Sequence, residues 1–165
     1  MYQTKKENNM ISATHIHAMV IHFPIALLMV GFLSEVLALI SKKDFFKNTA
    51  FFLLLLGALG AIAAYISGGY AGEGIEDGPL KQPMELHEAA ATLTLWLSII
   101  TALFRVVLYF FNYNRVWTKW LGILLFTVLI GSVTRTAYLG GQLVYSHGAG
   151  VELTLPELNN SSPEE

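Results

Sequence analysis

Apolar residues along this chain fall into four long runs separated by short polar punctuation, at about residues 15–40, 50–67, 86–111 and 117–145. A helix rises ~1.5 Å per residue and the hydrocarbon layer of a bilayer is ~30 Å thick, so about 20 apolar residues cross it. Three runs exceed that length. The second is marginal, though Gly68 to Ala71 can extend it. None carries the polar face of a helix in a water-soluble bundle. The pattern predicts an all-α fold, a four-helix bundle integral to a membrane. The expected organisation is a polar N-terminal segment 1–14, a four-span domain 15–151 and an acidic tail 152–165. The first run is too long for the core of a cleavable leader and lacks a small-residue cleavage site, so it is expected to remain as a span.

The punctuation orders the helices. Ser41 to Asn48 and Asn112 to Val116 are short, which makes helices one and two, and three and four, antiparallel neighbours. The link from Gly68 to Glu85 holds five glycines, two prolines and four acids. It is expected to break the helix and lie in water. Lys42, Lys43, Lys47, Arg115 and Lys119 sit at the end with the two short turns, against Lys5, Lys6 and Lys81 at the other. The positive-inside rule then places both termini on the outer side. Aromatic residues at each end (Phe45, Phe46, Tyr113, Trp117 and Trp120; Tyr70, Tyr138 and Tyr145) read as interfacial belts.

Composition narrows the chemistry. Only 13% of residues are charged and 54% are apolar. Mean hydropathy is +0.53. A net charge of -2 leaves no basic surface for nucleic acid. With no cysteine, disulfides, iron–sulfur clusters, thiolate metal sites and covalently attached haem are excluded. No serine, acid and histidine arrangement suggests a hydrolase. The Gly68-Gly69 and Gly72-x-Gly74 run lacks the lysine and the preceding strand of a phosphate loop.

Depth, counted in residues from the inner end, sorts the polar side chains. Glu35 and Arg105 share a level about 8 Å into the apolar layer and are expected to form an ion pair between helices one and three. All five histidines, His15, His17, His22, His87 and His147, map to the outer end, with Arg135 level with His22. A neutral imidazole suits haem iron, copper or zinc. Haem b needs axial ligands, a flat apolar slot and a cation for a propionate. His22 with His87 is the first axial pair to consider, with Arg135 on a propionate and His17 and His147 near a second site or an entry. His17 and His22 point ~140° apart on one helix, so they cannot grip one haem from opposite faces. The rival is a bare copper or zinc ion held by two or three histidines with Glu88, Met19 or Met84. A third reading is a membrane anchor or assembly subunit whose histidines only hydrogen-bond. Pro24, in His22-Phe23-Pro24, removes the hydrogen bond to the Val20 carbonyl and is expected to bend the first helix.

The stretch from His17 to Leu28 with its His-Phe-Pro element, His87 opening the third helix, and Gly140-Gly141-Gln142-Leu143-Val144-Tyr145-Ser146-His147-Gly148 together resemble a bacterial family of four-helix membrane proteins, domain of unknown function 2231. The resemblance covers residues 10–155 approximately. It departs at Ala18, where the family commonly has proline. It matches at His17, His22, His87 and His147, and not at His15. Family members are often fused to cytochrome c or Rieske-type modules, which implies redox work on the outer face. The resulting expectation is a b-type haem protein of the bacterial inner membrane, its histidines on the periplasmic side. It would pass electrons between the quinone pool and a periplasmic redox partner, within a complex or homo-oligomer.

Overall fold

The computed structural model describes residues 12–73, 78–113 and 115–150. Four helices follow one another: α1 (Ala13–Ser41), α2 (Asp44–Gly72), α3 (Lys81–Phe110) and α4 (Val116–Tyr145). Each is long and apolar enough to cross a membrane. The helices alternate in direction. Neighbours along the chain pack side by side, α1 also meets α4, and α1 and α3 stand on a diagonal.

Two helices are longer than the apolar runs. Only Lys42 and Lys43 separate α1 from α2, because Asp44 to Asn48 already form the first turns of α2. At its other end α2 runs through Gly68 and Gly69 to Gly72, and α3 starts at Lys81, so the expected break from Gly68 to Glu85 is much shorter than its composition suggests. The glycines are tolerated because backbone groups away from water must be paired, and the helix pairs them. Pro83 is the third residue of α3, within the first turn, where a missing N–H breaks no bond. Gly78, with φ 89°, makes the turn that precedes it. α1 runs unbroken through Pro24. The polar N-terminal segment lies outside the described residues up to position 11, as does the acidic tail.

The core is built from Leu28, Leu54, Ala58, Phe126, Leu129 and Val133, all nearly inaccessible. The approach of α1 to α2 is close: a Cβ on Gly57 would lie 2.6 Å from Leu28 Cδ2, and one on Gly60 3.2 Å from Pro24. Large apolar side chains such as Phe52, Leu59, Trp96 and Leu103 face outward, as a lipid-facing surface requires. Tyr70, Tyr138, Tyr145, Trp117 and Trp120 are exposed at the two ends.

The inward face of α3 is polar. Thr94, Ser98 and Thr101 are buried on it. Thr94 Oγ1 meets Ser132 Oγ at 2.7 Å and Thr136 Oγ1 at 2.8 Å on α4. Ser98 and Thr101 donate to the Leu95 and Leu97 carbonyls of their own helix. Each hydroxyl is thereby satisfied without water.

Candidate functional site

The N-terminal ends of α1 and α3 meet the C-terminal ends of α2 and α4 at one end of the bundle. Two histidines turn inward there. His17 is half-buried, its Nδ1 3.0 Å from Ser67 Oγ on α2. Ser67 has one hydroxyl hydrogen and donates it to the Ala64 carbonyl at 3.0 Å. Nδ1 of His17 must therefore be the donor, which leaves the lone pair on Nε2 free. The ring lies against Gly68, where a Cβ would be 3.0 Å from its Cε1. His87, also half-buried, rests against Gly140 of α4 in the same way, with 3.1 Å to its Cε1. Its Nδ1 is buried and, among the described residues, has no hydrogen-bond partner. Imidazoles from the diagonal helices α1 and α3 thus share one end of the interior.

The other candidates point elsewhere. His22 is exposed, and its Nδ1–H donates to the Ala18 carbonyl at 2.6 Å, leaving an outward Nε2 lone pair. His15 is exposed with Nδ1 3.0 Å from Ser12 Oγ. His147, in the turn after α4, and Arg135, on α4, are both exposed. The pair His22 and His87 therefore joins an outward ring to an inward one, whereas His17 and His87 share the interior. Met84 and Glu88 of α3 face Gly72 of α2, with Sδ and Oε1 3.8 and 3.3 Å from where its Cβ would be. Met19 is exposed. No three of the described His, Asp and Glu side chains are grouped to enclose a metal ion.

At the opposite end Glu35 of α1 and Arg105 of α3 form an ion pair across the same diagonal. The guanidinium lies on Gly122 of α4, where a Cβ would be 3.0 Å from Nε and 3.1 Å from Cζ. The pair borders a cavity of about 830 Å³ beside the short turns.

Ser67, Gly68 and Gly140 hold the inward rings; depth puts Ser67 to Gly69 level with His17 and His87 but does not give the contacts. One signal was present in the spacing. His17 precedes Glu35 by eighteen residues and His87 precedes Arg105 by eighteen. Eighteen residues are five whole turns, so a helix that turns the charged residue inward turns its histidine inward too.

No curated protein and no solved structure matches the chain. A family model described as predicted membrane protein, DUF2231, matches residues 13–153, and so spans all four helices. The chain is an integral membrane protein that belongs to this family.

Proposed function

We propose that this chain is a membrane electron-transfer protein whose histidine end would hold haem b through His17 and His87. The observation that carries the reading is the state of the two inward nitrogens. His87 Nδ1 is buried without a partner, and His17 Nε2 keeps its lone pair because Ser67 engages Nδ1. A ligating histidine whose other nitrogen donates to a neighbouring acceptor is the usual arrangement at metal centres. Gly68 and Gly140 make room for both rings against α2 and α4. Haem b, when bound, supplies reversible one-electron chemistry, and the chain's part is to supply ligands and an apolar surrounding. Exposed His22 and His147 flank the end where a redox partner docks, and Arg135 stands at the surface as a cation for a propionate.

In this reading both termini face the periplasm of a bacterial inner membrane, as the lysines of the turns favour. Electrons pass along that face between the quinone pool and a periplasmic redox protein, within a complex or homo-oligomer. A bare copper or zinc ion is the second reading, favoured by Met84 and Glu88 at the same end. A reduced-minus-oxidised visible spectrum of protein purified from haem-replete cells tests both. Sharp b-type bands that vanish in His17→Ala and His87→Ala are expected. Colourless protein with stoichiometric copper or zinc selects the second reading. Colourless, metal-free protein overturns both and leaves an assembly subunit.

A further inference from the structure

The cavity at the turn end has its own chemistry. Lys42, Lys43, Lys47, Lys119 and Arg105 line it, against two carboxylates, Glu35 and Asp44. Glu35 is spent on Arg105, so the lysines of the rim are in excess. Farther in, the wall is apolar, with the partly exposed Leu108 and Ile123 on it. A cationic rim over an apolar wall suits an amphiphile whose head is an anion. α2 starts on this rim with no side-chain cap, so its first N–H groups add donors.

The backbone points to the same place. Among the described residues only two non-glycine positions have positive φ, Lys42 at 55° and Asn112 at 50°, and both line this cavity. Lys42 closes α1 in the left-handed conformation, a position that favours glycine. A lysine there gives up local stability and places a cation at the cavity mouth.

We infer that this cavity binds a phosphate-bearing anion, the headgroup of an acidic phospholipid, at the membrane interface. The rim lysines hold the phosphate, and the acyl chains lie along the apolar wall.

Lipid-dependent thermal shift of the purified protein, with native mass spectrometry, tests this. Phosphatidylglycerol or cardiolipin is expected to raise the melting temperature and stay bound, while phosphatidylcholine does neither. Replacing Lys42, Lys47 and Lys119 together by Gln, all exposed side chains, is expected to weaken the response on the order of 100-fold. Lys81→Gln, at the far end, should leave it unchanged. Lys42→Gly separates fold from site: it should raise the melting temperature without lipid and weaken the lipid response about fivefold. If soluble pyrophosphate reproduces the full shift, the lipid assignment is overturned in favour of a soluble anion. Equal shifts in parent and triple variant, or equal shifts with phosphatidylcholine, overturn the site itself.

Discussion

Removing the Glu35 carboxylate is the sharpest test of the bundle's architecture. The Glu35 and Arg105 side chains are 10% and 17% exposed, so water screens the pair only weakly. Glu35→Ala leaves a guanidinium wedged on Gly122 with its partner gone. Breaking one side of a buried ion pair typically costs ~3–5 kcal/mol. Arg105 borders the cavity and can draw water from it, which argues for the lower figure, about 3 kcal/mol. For a chain of this length each kcal/mol moves the melting temperature about 2–4 °C, so a fall of roughly 6–12 °C is expected. Thermal unfolding of parent and variant in one detergent measures it. Glu35→Leu combined with Arg105→Met removes both charges and should return stability to within about 1 kcal/mol of the parent. A single-variant loss below about 1 kcal/mol, or a double variant no better than the single, would refute the reasoning.

Other outcomes are expected at the remaining contacts. Gly57→Ala drives a methyl into Leu28 and should cost about 1–3 kcal/mol by thermal unfolding, with partial rescue by Leu28→Val. Gly140→Val should displace the His87 ring and abolish any b-type spectrum while helix content by circular dichroism holds. Ser67→Ala removes the acceptor that orients His17, and retention of the bound group in a chelator or haem-transfer assay should fall about 10–100-fold. Phe126→Ala, at a fully buried position, should cost about 3–5 kcal/mol by denaturant titration.

The helices were legible because each span is predominantly apolar over a length that crosses a bilayer. Their ends were harder to read. Gly68, Gly69 and Pro83 are breakers in water, yet the first two continue α2, since an unpaired backbone group in lipid costs more than a glycine does, and the third sits in the first turn of α3, where its missing N–H breaks no bond. Counting residues put Glu35 and Arg105 at one level, and the structure holds their side chains in contact. The same counting gathered the histidines at one end without showing which way each ring turns. That direction depends on the neighbours: Ser67 and Gly68 receive His17, while His22, ~140° around the helix, is left outside. The turn lysines served as an orientation signal, and the cavity beneath them needed three dimensions to be seen.

Because α1 and α2 interlock through small residues, the first hairpin has what it needs to settle in the bilayer before the second is synthesised. The second is different. Until α3 finds α1, Arg105 lacks its carboxylate within the apolar layer, at a cost below the ~2.5–3.5 kcal/mol of a charge at a span's centre. If α3 seats one turn too high or low, a slip of ~5.4 Å, the guanidinium misses its carboxylate. The diagonal contact thus ties the register of α3 to that of α1: a mis-seated hairpin leaves a naked charge within the membrane that the finished bundle pairs.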